Sequence, residues 1–337
     1  MKRRMWMKGA MFVLGIVFGF GLLAFLIGRE GWHDVLREVV YFGIWPFVGF
    51  VAMSLVNFAL YSWRWQIITN SHLPPEKRLS LRAMYWHRLS GYAVGYLTPA
   101  AQVAGEPARI ALLATDGVPI KAATSSVTLD IGFELCVYVV FITAGVIFAL
   151  ADGTGDPITL ALTIAALVLL LALVLGFLIS AASGKRVLSG TLRAIGFRGK
   201  RSKHVVEWVS EMEGLMTEFF KGRSWLVAGV TLLSFVMISF RIVEVVYIAH
   251  YFGQSLTFAQ AFLMSTLPGI ALLLPIPGGL GVFEGGFAAV FTALGVGLNP
   301  VAFALIIRLR DLLFIGLGVV HLVERTGRYV VNRTKRA

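Results

Sequence analysis

The chain has 337 residues, of which 58% are hydrophobic and 14% charged, where soluble domains average about 45–50% apolar and about 25% charged. There is too little polar material to cover even one soluble domain, and the same numbers exclude disordered, collagenous and disulfide-built chains. The formal charge of +12 would suit nucleic acid only on a basic face of a soluble module; here Lys and Arg gather in Lys2–Lys8, Arg64–Arg88, Lys185–Arg223 and Arg325–Arg336, beside apolar runs, as in a membrane protein whose basic loops stay in the cytoplasm.

The first apolar run, Gly9–Gly28, follows Lys2, Arg3, Arg4 and Lys8 and matches the roughly 20 residues that cross a bilayer. Lacking a small-x-small cleavage site, it is predicted to be a signal anchor with its N-terminus in the cytoplasm. Arg29–Val40 is expected as an outer loop. Full spans are expected at Tyr41–Tyr61, Thr124–Leu150, Ile158–Ala181, Trp225–Tyr251 and Val301–Val323.

Two apolar regions are interrupted, Leu89–Leu113 by Pro99, Gly105 and Pro107, and Phe262–Leu298 by Pro268, Pro275, Pro277, Gly278, Gly279 and Gly281. Proline removes a backbone donor and glycine loosens a helix, so each region is predicted to be a re-entrant hairpin of two half-helices with an unwound tip. Both termini and the basic segments then share the cytoplasmic side, while Ala151–Asp156 and Phe252–Thr257 opposite hold no Lys or Arg. In the Lys185–Arg223 loop, Val205, Val209, Met212, Met216 and Phe219 form the apolar stripe of an amphipathic helix, either a connector or a helix lying on the membrane or on the protein's own face. Cys136, the only cysteine, sits in an apolar run and reads as a small core residue.

The chain also matches itself at a shift of 178 residues. Pro99 and Glu106 fall opposite Pro277 and Glu284, Gly117-Val118 opposite Gly295-Val296, Asp130 opposite Arg308, and Trp63-Arg64 opposite Arg241-Ile242. The spans beginning at Tyr41, Thr124 and Ile158 separate the two copies, and an odd number of crossings reverses orientation. The expected fold is therefore an all-α integral membrane bundle of about six full spans plus two re-entrant hairpins, arranged as an inverted repeat. The expected divisions are 1–40 for the anchor and outer loop, 41–181 for the first repeat with its hairpin at 89–113, 182–224 for the basic loop, 225–324 for the second repeat with its hairpin at 262–298, and 325–337 for the basic tail.

An ionisable residue at the centre of a span costs roughly 2.5–3.5 kcal/mol on insertion scales, so such residues pair or line a polar interior. Asp130 and Glu134 share one helix face, Arg241 and Glu244 another, and Arg308 and Asp311 lie beside Arg310 on the last span. Glu106 and Glu284 stand at the hairpin tips, with Arg109 one turn beyond Glu106. Separate salt bridges that fix packing account for any single pair; as a set, these residues are expected to line one polar cavity. Arg241 and Arg308 suit a phosphate, because guanidinium matches its oxygens bidentately, and a buried carboxylate such as Glu106 or Asp130 could carry a proton. Gly278–Gly281 lacks the Lys-Ser/Thr of a P-loop, the histidines show no zinc spacing and no nucleophile elbow occurs, so no metal or cofactor is expected.

Tyr96-Leu-Thr-Pro99, Gly105-Glu106-Pro107-Ala108-Arg109, Gly117-Val118, then Leu274-Pro-Ile-Pro-Gly-Gly-Leu-Gly-Val-Phe-Glu284, Gly295-Val296 and Arg308 resemble the lysylphosphatidylglycerol synthase transmembrane family. That family comprises the membrane domain of MprF-type proteins and stand-alone relatives such as the hopanoid-associated group. The resemblance covers roughly Trp45–Val323. It implies a flippase-like membrane domain with Glu106, Arg109, Glu284 and Arg308 at motif positions. MprF-type proteins continue into a cytoplasmic aminoacyl-transferase domain, which this sequence lacks, so lysyl-lipid synthesis is not expected of it. The leading expectation is a multi-pass lipid transporter of the inner membrane. The alternatives are an ion-coupled transporter of a small anionic solute and an enzyme modifying lipid headgroups. Expected partners are membrane lipids, a separate lipid-synthesising enzyme and other copies of the chain, but not nucleic acid.

Overall fold

A computed structural model describes residues 17–98, 104–151, 157–195, 200–221, 224–269, 274 and 276–334, and no strand occurs among them. Pro99 at the first predicted tip, Pro275, the Lys2–Lys8 cluster, residues 152–156 of the outer segment Ala151–Asp156, and the last residues of the basic tail lie outside the described residues. The elements are α1 (17–30), α2 (Trp32–Phe42), α3 (Ile44–Ser71), α4 (Leu81–Leu97), α5 (Gly105–Thr115), α6 (Ile120–Ala151), α7 (Pro157–Ala182), α8 (Val187–Ala194), α9 (Lys200–Phe220), α10 (Ser224–Tyr251), α11 (Phe258–Thr266), α12 (Val282–Ala293) and α13 (Pro300–Thr334).

Three helices, α3, α6 and α10, are long and apolar enough to cross a membrane, and α7 with α8 forms a bent apolar pair. At 35 residues, α13 has the length to cross, and it carries Arg308, Arg310 and Asp311 in its first third. Outward faces are apolar where a soluble protein would put charges: Leu173, Leu232, Trp225 and Leu312 are all more than 60% exposed.

Each interrupted region is two helices. In the first, α4 starts at Leu81, earlier than expected, because Ser80 caps it by accepting from Ala83 N–H. The legs α4 and α5 touch backbone to backbone: a Cβ on Gly105 would lie 2.5 Å from the Gly91 carbonyl oxygen. In the second, α11 opens with a reciprocal capping box between Thr257 and Gln260. The Gln260 side chain also donates to the Leu294 carbonyl at the end of α12, which closes the base of the hairpin. Pro277–Gly279 forms a single 3-10 turn at the tip, where Gly278 has φ 59° and Gly281 φ 73°. The Gly281 position has no room for a Cβ, which would meet Gly19 O of α1 at 2.5 Å, so α1 lies directly on this tip.

Helices α3 to α6 begin at residues 44, 81, 105 and 120, and α10 to α13 begin at 224, 258, 282 and 300. Each later start falls within two residues of the earlier one advanced by the shift of 178 seen in the sequence. Packing crosses between the sets: α4 lies on α13, α11 lies on α6, and α3 lies on α10. An aromatic core of Phe42, Phe50, Phe283, Phe287, Phe291 and Phe303 joins α2, α3, α12 and α13.

Two expectations are corrected. Arg29–Val40, expected as an outer loop, is mostly helical: Gly31 and Gly43, at φ 87° and 78°, punctuate the chain, and between them α2 buries Val35 and Phe42. The stripe expected on α9 is displaced at its start, since Val205 is 48% exposed and Val206 is buried. The helix lies on the protein, against α6, α7 and α8. Its Glu213 is buried and accepts from Leu188 N–H, Ser189 N–H and Ser189 Oγ, supplying the open N-terminus of α8 with an acceptor.

Glycine contacts give a direct check on this packing. Gly318→Ala pushes a Cβ into the Leu89 carbonyl and Gly105→Ala into that of Gly91, so each is expected to lower stability by about 1–3 kcal/mol. Gly229→Ala, with open space around it, is expected to raise it by up to about 1 kcal/mol. Thermal unfolding in detergent reads all three.

Candidate functional site: charged clusters at two hairpins

The predicted site residues lie at the two hairpins and on the long helices beside them. Among the described residues they fall into separate clusters, each where a hairpin meets a long helix.

The largest surrounds Asp130 on α6. Its Oδ1 accepts from Arg64 Nε at 2.8 Å, and its Oδ2 accepts from Arg88 at 3.0 Å and Arg109 at 2.7 Å. Glu134, one turn on, accepts from Arg64 at 2.9 Å, and Glu106 accepts from Arg109 at 2.8 Å. Arg64 also donates to Ser234 of α10, while the Arg109 guanidinium lies 4.1 Å from the centre of the Trp65 ring. Asp130 and Arg64 have no solvent exposure, whereas the Glu134 and Glu106 side chains are 28% and 29% exposed.

Arg64 and Arg88 are the arginines that sequence reasoning missed. They bound a segment expected to be a cytoplasmic basic loop, but α3 runs on to Ser71 and α4 starts at Leu81, which puts both inside helices. A usable signal was present, since Arg64 sits opposite Ile242, next to Arg241, in the internal repeat.

The second cluster is the tip of the α11–α12 hairpin. Arg308 Nε donates to Glu284 Oε1 at 2.7 Å, and its terminal nitrogens donate to the Gly278 and Gly279 carbonyls at 2.5 and 3.0 Å. The unwound turn exposes carbonyls that no helix satisfies, and one guanidinium supplies them. Glu284 lies in the first turn of α12, as Glu106 does in α5, where the helix dipole favours negative charge.

Arg308 therefore does not pair with Asp311, its expected partner on the same face. Asp311 instead accepts from Tyr92 at 2.8 Å, Tyr96 at 2.6 Å and Arg310 at 2.8 Å. Tyr96, another residue not foreseen for the site, connects the hairpins: it stands on α4, bonds Asp311 of α13, and lies against Gly278 and the Arg308 guanidinium. Arg241 and Glu244 do not pair either. Arg241 donates to the Ser265 carbonyl at 3.0 Å, and both line a cavity of about 20 Å³ with Phe50, Met264 and Arg310.

At the end of the bundle that also holds the α5–α6 turn, His87 of α4 bonds Asp116 at 2.7 Å, Arg325 of α13 bonds the other oxygen of the same carboxylate, and His321 lies 3.4 Å from His87. These histidines look scattered in sequence and are brought together by the packing of α4 on α13. Burial alone would push the Asp116 carboxyl up, but the His87 hydrogen bond and the His87 and Arg325 charges outweigh it and hold it below the usual range. A carboxyl depressed on folding adds stability above its unfolded pKa of about 3.9, and that stability disappears as pH falls through the lower folded value. The melting-temperature difference between wild type and Asp116→Asn is thus expected to be largest near neutral pH and to close below about pH 4.

Removing Asp130 leaves three buried arginines short of an anion. Asp130→Asn is expected to destabilise by about 3–5 kcal/mol, with part of that recovered by adding Arg88→Gln. Unfolding of the single and double variants measures both effects.

The sequence signature of the lysylphosphatidylglycerol synthase TM region matches residues 12–318. A UPF0104 membrane protein of Methanothermobacter thermautotrophicus is 26% identical over 315 residues, covering 89% of this chain and 90% of that relative. The matched region contains both hairpins, the clusters around Asp130 and Arg308, and the Tyr96 bridge between them, and the chain belongs to the lysylphosphatidylglycerol synthase transmembrane region family.

Proposed function

We propose that this protein carries a phosphate-bearing lipid headgroup between membrane leaflets by alternating access, leaving the acyl chains in the bilayer. The carrying observation is that each hairpin has, in the first turn of its second helix, a carboxylate that holds an arginine, Glu106 with Arg109 of the same helix and Glu284 with Arg308 of α13, and that Tyr96 links the two. A lipid phosphate can replace a carboxylate on a guanidinium bidentately, so an incoming headgroup exchanges one anion for another and leaves no arginine bare in the apolar bundle. Glu106 and Glu134 suit this exchange, because their partial exposure opens them to a ligand while Asp130 stays covered.

The family's membrane region supports a lipid cargo. The matched helix starts and the crossed packing of α4 on α13 and α11 on α6 support two halves related by a two-fold axis in the membrane plane. Rocking of such halves about their shared contact, α3 against α10, would open the hairpin tips to each leaflet in turn. The positive-inside bias supports a reading in which both termini and the α8–α9 segment face the cytoplasm of a plasma-membrane protein. The reading requires no chemical change to the lipid.

Exchange of headgroup-labelled anionic phospholipid between leaflets of reconstituted liposomes tests this. Wild type is expected to accelerate exchange, and Arg109→Ala and Arg308→Ala to slow it at least about tenfold, equivalent to about 1.4 kcal/mol of lost interaction. Exchange no faster than in empty liposomes, across anionic and zwitterionic headgroups, contradicts the proposal.

A further inference from the structure

Glu244 differs from the other carboxylates buried in α3–α6 and α10–α13. Asp130, Glu284 and Asp311 are each bonded to arginine within 3.0 Å, whereas Glu244, only 5% exposed, has no arginine within 4.0 Å among the described residues. Its Oε1 accepts no hydrogen bond from any described residue, and the side-chain oxygen of Asn57, on the facing helix α3, is likewise without a donor. The Ser54 and Asn57 side chains lie beside the carboxylate, and Ser54 Oγ accepts from Arg310. Two buried acceptors lacking a donor in one place are what a missing proton leaves behind: a carboxylic acid gains an O–H that a carboxylate lacks.

The surroundings select the ligand. Arg241 and Arg310 line the same cavity and would repel a metal cation, and a cavity of about 20 Å³ holds no more than about one water, too little for a phosphate. From α11 the cavity receives Met264 and Ser265, without a titratable group; Tyr61 of α3 and Tyr138 of α6 stand beside Arg241. Among the described residues, helix α9 packs with α10 around Leu226, Val227 and Val230, several turns away. A proton is small enough to enter, and it converts the site to a neutral acid without adding a cation to the bundle.

We propose that Glu244 is a proton-binding site inside the bundle, with Arg241 transmitting its state to the α11–α12 hairpin; the link to lipid movement rests on the transporter reading above. With the proton on Glu244, Arg241 has no anion on its own helix and donates to the Ser265 carbonyl at the end of α11, as observed. When the proton leaves to solvent through the cavity, the carboxylate three residues from Arg241 attracts the guanidinium, and the contact with α11 is released. The proton is the only atom gained or lost.

Infrared difference spectroscopy of the purified protein through a pH step reads the proton independently of transport. Wild type is expected to show the C=O band of a buried carboxylic acid, shifted in D2O and by 13C-labelled glutamate, and absent from E244Q. No titrating glutamic acid band in wild type, or the same band in E244Q, overturns the proposal. Should E244Q not fold, the 13C shift in wild type decides the residue type, and loss of the band in N57L, which removes the acceptor beside Glu244, decides the place; a band unchanged in N57L overturns it. In liposomes, a transmembrane proton gradient is expected to change wild-type lipid exchange several-fold and to leave E244Q without gradient dependence, and equal gradient responses in the two overturn the coupling. If wild type exchanges no lipid, the transporter reading fails while the infrared band still decides the proton site.

Discussion

Asp130 holds three arginines from three helices, Arg64 of α3, Arg88 of α4 and Arg109 of α5, against α6. Desolvating so much charge is expensive, and removing one member of such a cluster is worse than never having had it, because the remainder stays buried without its counter-charge. The constraint fixes more than local packing. Arg88 and Arg109 stand on the two legs of one hairpin, so Asp130 sets where that hairpin sits relative to the long helix behind it. Its position also determines which carboxylates remain accessible: Asp130 is fully covered, and Glu106 and Glu134, sharing the same arginines, keep a quarter or more of their side-chain surface open.

The second hairpin solves a related problem differently. Its tip is unwound at Gly278 and Gly279, so carbonyls that water would satisfy in a soluble protein face an apolar interior. Arg308 bonds both of them and Glu284 as well, which makes a single residue the anchor of the tip and its charge centre. Tyr96 joins this tip to Asp311 and so to the first hairpin. The two hairpins are thus joined by a continuous chain of contacts through Tyr96, Asp311 and Arg308.

Much of the helical order was legible because apolar runs of spanning length and proline-glycine interruptions are strong local signals. The expected spans from Tyr41, Thr124, Ile158, Trp225 and Val301 coincide with α3, α6, α7, α10 and α13 to within a few residues at their starts. Loop ends were less legible. Helices α3 and α4 continue well past their apolar stretches, because Arg64 and Arg88 find buried partners that no local pattern reveals. The same limit explains why Arg308 was expected beside Asp311, three residues away, when tertiary packing gives it Glu284 and the tip carbonyls. Glu106, Arg109, Asp130 and Glu134 were foreseen together because helical spacing brings some of them to one face; Tyr92 and Tyr96 were not, since a tyrosine in an apolar helix looks like packing until its hydroxyl finds Asp311.

Mass spectrometry of lipids retained by the protein, extracted gently from its native membrane, bears on whether this charged interior serves a phosphate headgroup. The account predicts a phosphate-bearing lipid bound to wild type and lost, with the fold intact, from variants in which Arg109 or Arg308 is replaced by alanine. Identical lipid retention in wild type and both variants would mean that these arginines serve packing alone.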